Sequence, residues 1–98
     1  MNDETTNYKY KGKYLDKCIA AELIIGMFEG KQGIQRKIIG DQIIKIHIDR
    51  GGLPHGNDNW SVTLALEGFK ALRFADNPDR GKWNILTIDE MITRLEYL

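Results

Sequence analysis

Two groups of residues in this chain carry the letters of a metal site. His47-x-Asp49, followed by His55, offers two imidazoles and a carboxylate, a ligand set suited to iron(II). On a helix, residues two apart project to different sides, so His47 and Asp49 do not share an ion. His47 then reads as a helix-surface residue and His55 as a loop residue. Asp16 with Glu29-Gly30-Lys31 spells the Asp…Glu-x-Lys of magnesium-dependent nucleases. That chemistry needs carboxylates on adjacent strands around Mg²⁺, whereas the segment between these two has helical periodicity. Gly26, Gly30 and Gly33 lack the Gly-Lys-Ser/Thr ending of a phosphate loop. No serine, threonine or cysteine has a histidine placed in sequence to activate it. The expectation is a chain without catalysis, metal, cofactor or small-molecule substrate.

Anion binding is the chemistry that remains. Asn77-Pro78-Asp79-Arg80-Gly81-Lys82-Trp83-Asn84-Ile85 sets two cations around a turn glycine and follows them with a large aromatic residue. Pro78 suits the second position of a type I turn. Trp83 and Ile85 share one strand face and can bury, which leaves Arg80 and Lys82 in water near the tip, where they can touch phosphates. Near the N-terminus, Lys9, Lys11 and Lys13 are interleaved with Tyr8, Tyr10 and Tyr14, a pattern able to follow a nucleic-acid backbone. It is too short to define a groove, and residues 1–12 read as a flexible polar tail ahead of a single domain, 13–98.

The elements that must hold the turn follow from periodicity. Tyr14–Phe28 reads as a helix, with Leu15, Cys18, Ile19, Leu23 and Met27 at helical spacing and Gly30 as its stop. Cys18, among apolar neighbours, is expected to be buried. Gln35–Arg50 is ambiguous: Ile39, Ile43 and Ile46 fit a helix, while Ile44, Ile46 and Ile48 alternate as in a strand. Its length and the Gly51-Gly52 stop favour helix. Leu53–Asn59 is a loop, after which Asp58 or Asn59 can cap a third helix to Leu72, with Val62, Ala65, Leu66, Phe69 and Leu72 on one face. Phe74–Asp76 and Lys82–Leu86 read as strands. Thr87-Ile88-Asp89-Glu90 matches a capping box for a last amphipathic helix.

Three helices, a hairpin with a basic tip and a closing helix predict a mainly α chain with a small β-hairpin: a winged helix-turn-helix with three helices, a wing and a C-terminal helix. The third helix with Phe74–Ile85 resembles the end of the N-terminal DNA-binding domain of Mrr-type restriction proteins, where a similar Pro-x-Arg-Gly-x-aromatic wing follows a helix. The resemblance spans about residues 60–88. It implies a restriction-associated or regulatory DNA-binding protein, with the third helix toward the major groove of double-stranded DNA and the wing on the backbone. The expected DNA-binding residues are Arg36, Lys37, Ser61, Thr63, Lys70, Arg80 and Lys82. Glu67, on the same helix, can reward only a cytosine amino group and repels phosphate.

Composition bounds these readings. The 98 residues, 42% hydrophobic, suffice for one core. Net charge is zero, but residues 9–50 hold nine basic against five acidic side chains. Neutrality weighs against strong nonspecific DNA binding and favours the alternative, a winged helix used for protein–protein interaction or dimerisation. For that, Ile88, Met91, Ile92, Leu95 and Leu98 form an apolar stripe on the last helix, the expected interface of a homodimer or with another protein. With one cysteine, no membrane-length apolar run and a polar start, a cytoplasmic location is expected.

Overall fold

The computed structural model describes residues 7–97 and is mainly helical, with one small antiparallel sheet. Helix α1, Lys17–Phe28, starts later than periodicity indicated, because the Asp16 carboxylate caps it by accepting from the Ile19 N–H at 2.8 Å. Tyr14 is thereby left outside the helix, bridging in parallel to Leu53. A strand absent from the sequence reading, β1 (Ile34–Gln35), leads directly into α2, Arg36–Asp49. The ambiguous isoleucine run is thus helical, with Ile39, Ile43 and His47 on its buried line. Helix α3 spans Asp58–Ala71 and buries Val62, Ala65, Leu66 and Phe69.

Strands β2 (Ala75–Asp76) and β3 (Lys82–Ile85) form the hairpin. Strand β3 lies centrally, in the order β1-β3-β2, with Ile34 opposite Trp83 and Ala75 opposite Ile85. Trp83 and Ile85 bury from one face of β3, joining Phe74 and the helical core, as strand alternation requires. Helix α4, Ile88–Glu96, begins at a complete capping box: the Thr87 hydroxyl accepts from the Glu90 N–H while the Glu90 carboxylate accepts from the Thr87 N–H. Only Met91 of α4 is buried. Among the described residues no helix is long and apolar enough to cross a membrane.

Three expectations are corrected here. Cys18 is exposed, on the solvent side of α1 opposite Ala20 and Leu23. His47 is not a surface residue but is 1% exposed, and its ring ties three segments together. The Lys13 carbonyl, 2.8 Å from Nε2, can only accept, so Nε2 carries the hydrogen; in the neutral ring Nδ1 then accepts from the Tyr8 hydroxyl, also at 2.8 Å. Burial raises the Tyr8 pKa and so keeps that donor protonated. Residues 7–12, assigned to a flexible tail, are therefore attached: Tyr10 donates to Glu22, and Lys9 pairs with Glu22 at 2.7 Å. Residues 1–6 of that tail lie outside the described residues.

Gly52 completes the anchor. A Cβ there would stand 2.2 Å from His47 Nε2, so the ring must leave its hydrogen bonds if any side chain is added. Gly52→Ala is expected to destabilise the protein by about 1–3 kcal/mol in chemical denaturation. Gly56→Ala, with nothing within 4 Å of the added carbon, is the control and should stay within about 0.5 kcal/mol. Equal effects from the two would show that the ring is not wedged.

Candidate nucleic-acid interface

The hairpin turn is closed by its own side chains. The Asn77 amide donates to the carbonyls of Asp79 and Lys82, the Lys82 N–H donates to the Asp79 carbonyl at 2.9 Å, and Gly81 takes φ 80°, where a side chain is strained. Asn84 braces the strand below, donating to Asp76 at 2.9 Å and accepting from the Gly33 N–H at 2.7 Å. The turn is thus closed by its own groups, and it is docked on α2. The Arg36 N–H, first in α2, donates to the Gly81 carbonyl at 2.7 Å. Lys82 lies directly opposite Gln35, the residue immediately before α2, across the β1–β3 ladder.

Arg36 also reaches the other way. One guanidinium nitrogen donates to the Asn59 carbonyl and to the Thr63 hydroxyl of α3, both at 2.9 Å. Burial lowers the Arg36 pKa, opposed by the charge of Asp41. Gly40 makes the space, since a Cβ there would meet the guanidinium at 2.5 Å. Arg36, expected from the sequence as a DNA-binding residue, therefore holds α2, α3 and the turn together.

The start of α2 has an unusual electrostatic character. The Gln35 side chain makes no capping hydrogen bond, and the first turn contains no acidic residue but does contain Arg36 and Lys37. Cations there oppose the positive end of the helix dipole, which costs a few tenths of a kcal/mol or more each. Lys37 pairs with Asp41 at 2.7 Å, but both side chains are exposed and such a pair is weak. Arg80 and Lys82 are exposed beside them, with no partner among the described residues. The Gly81 carbonyl takes the first N–H, and the helix dipole with its neighbouring cations remains favourable to an oxyanion such as phosphate.

The remaining sequence-assigned residues fall elsewhere. Ser61 and Thr63 are half-buried flank residues, not outward ones: Ser61 donates to the Leu15 carbonyl at 3.1 Å and Thr63 accepts from Arg36. The outward line of α3, opposite Val62 and Leu66, consists of Trp60, Leu64, Glu67 and Ala71. Trp60 is 61% exposed. The signal for this line lay in the same periodicity that marked the buried face, read half a turn round. Lys70 is exposed about two turns beyond Thr63 and opens on a separate cleft with Arg73, Asp76 and Arg94. On α4, Met91 belongs to the core and is removed from the expected interface, whereas Ile88, Ile92 and Leu95 are exposed. Leu98 lies outside the described residues.

The metal-like letters do not converge. Both His47 nitrogens are engaged, His55 Nδ1 accepts from the Asn57 N–H, and Asp49 pairs with Lys45. Asp16 and Glu29 cap opposite ends of α1. Among the described residues no cluster of three His, Cys, Asp or Glu could hold a metal ion.

Truncation separates the tie from the tip. Arg36→Ala, which removes two charge-assisted hydrogen bonds, is expected to destabilise by about 1.5–3 kcal/mol, while Arg80→Ala should change stability by less than about 0.5 kcal/mol. Trp83→Ala should cost about 3–5 kcal/mol. Thermal and urea unfolding measure all three, and a large loss for Arg80→Ala would make the tip structural. Comparison with known protein families, with curated proteins and with solved structures finds no match to this chain.

Proposed function

We propose that the chain is a winged-helix domain that binds double-stranded DNA, in the manner of a DNA-associated regulator. In this reading α1–α3 are the three helices, β2–β3 is the wing and α3 is the helix presented to the major groove. The observation that carries it is the Arg36 N–H to Gly81 carbonyl bond, which brings the wing tip against the cation-flanked N-terminus of α2, where no side chain caps the helix. One phosphate seated there would meet helix N–H groups together with Lys37, Arg80 and Lys82. The Pro-x-Arg-Gly-x-aromatic resemblance to Mrr-type DNA-binding domains supports the same assignment. Arg36, whose guanidinium is turned to α3, acts here as a positioning residue. Ser61 contributes nothing directly, since its hydroxyl serves the Leu15 carbonyl.

A second reading is favoured by a separate observation. Trp60 at 61%, Ile92 at 50% and Leu95 at 51% exposure are apolar surface of the kind that protein interfaces use. On that reading the domain is an interaction or dimerisation module, and α4 joins two copies.

Titration of a mixed-sequence duplex over a range of salt decides between them. Log affinity should fall linearly with log salt, by about 0.9 per phosphate neutralised, and the Arg80→Ala/Lys82→Ala pair should flatten the slope by up to about 1.8. Absence of duplex binding at low salt would leave the interaction module. Sedimentation of the intact chain and of Leu95→Glu tests the dimer: a concentration-dependent dimer that becomes a folded monomer on substitution is expected if α4 is the interface. A wild-type monomer at high micromolar concentration would remove it.

A further inference from the structure

The outward line of α3 has a restricted chemistry. Glu67 is its one hydrogen-bond acceptor, exposed and with its side chain unpartnered among the described residues, while Trp60 at the start of the helix adds an indole N–H donor. Leu64 precedes it by about one turn and Ala71 follows by about one turn, both exposed. Around the helix, this line adjoins the flank on which Thr63 is bonded to Arg36, and so it is continuous with the cationic junction. A duplex held by its backbone at that junction would run its groove along this line.

Resting on that reading of the junction, we infer that α3 reads pyrimidines, with Glu67 accepting a hydrogen bond from a cytosine amino group and Leu64 and Ala71 packing on thymine methyls. An ionised carboxylate only accepts. Guanine presents two acceptors to the major groove, thymine one acceptor beside its methyl, and adenine an acceptor next to its amino group. Cytosine alone presents a donor with no acceptor on its own edge, so Glu67 is matched to it. Leu64 and Ala71 offer no polar atom and are matched to the C5-methyl of thymine. Their separation, about 10.5 Å along the axis, corresponds to roughly three base steps of about 3.4 Å. Glu67 lies between them, away from either strand's phosphates, where its charge is tolerated. Glu67 is thus the specificity-determining residue, and Thr63 serves to hold Arg36.

Selection from a randomised duplex library, using the full chain at low salt, tests this. The enriched site should contain a cytosine with thymine within about three steps. Glu67→Gln should move the preference at that cytosine to adenine, whose N6 and N7 suit a carboxamide, by about 5- to 150-fold, with the salt slope unchanged. Leu64→Ala should weaken one thymine preference and spare the cytosine. Wild-type protein that binds with the expected salt slope but enriches no sequence would overturn the inference and leave the backbone site standing. So would a Glu67→Gln protein that still selects cytosine. Failure to bind any duplex would overturn both and assign the apolar line to a protein partner.

Discussion

The arrangement of this domain depends on Arg36. Its backbone N–H fixes the hairpin tip through Gly81, and its guanidinium fixes α3 through Asn59 and Thr63. Three segments with no sequence proximity thereby share one residue. Such a tie is stiff because a half-buried cation has few alternative partners, and charge-assisted bonds of this kind contribute about 1.5–3 kcal/mol where neutral ones contribute about 1. It also explains a glycine inside a helix. Gly40 weakens α2 by about 1 kcal/mol relative to alanine, yet any Cβ would occupy the space of the guanidinium.

At the other end of α2, His47 performs the matching task. It gathers Tyr8, the Lys13 carbonyl and the backbone of Gly52, while the Gly12 N–H and the Leu53 N–H close the same region onto Gly51 and Lys13. The loop between α2 and α3 is long, and these bonds fix its first part without an apolar core of its own. Between the two polar anchors, Ile39 and Ile43 are fully buried. Helix α2 therefore works as a spacer: an apolar middle positions it in the core, and a polar anchor at each end sets what lies beside it.

This division also marks what the sequence could and could not disclose. Local signals were sufficient where the causes are local. The Thr87–Glu90 box, the α2 run ended by glycines and the Asn77–Gly81 turn all depend on neighbours within five residues. Strand β1 depends instead on β3, far along the chain, and two residues alone carry no period to read. His47 looked like a surface histidine because its partners, Tyr8 and Lys13, lie 39 and 34 residues away. On α3 the buried face was legible, but Ser61 and Thr63 sit about a quarter turn from it, and only their hydrogen bonds to Leu15 and Arg36 place them inside. Cys18 and Asp16 illustrate the same limit: capping by Asp16 delays α1, and Cys18 in its first turn faces water.

In the proposed DNA complex, a neutral chain has little long-range attraction with which to find or hold a polyanion, so selectivity must come from where its charges stand. The cations at the α2 start and the wing are compensated only loosely, by the exposed Lys37–Asp41 pair and the nearby Asp79, and a phosphate can displace the former at small cost. Glu67 acts in the opposite sense. Laid across a backbone it would repel phosphate, and laid in a major groove it would meet an amino group, so the same carboxylate penalises one docking and rewards the other. A helix with lysines along that line would bind duplex in many poses; an apolar line with one acceptor leaves few. Weak overall attraction and narrow orientation are then two consequences of the same choice of residues.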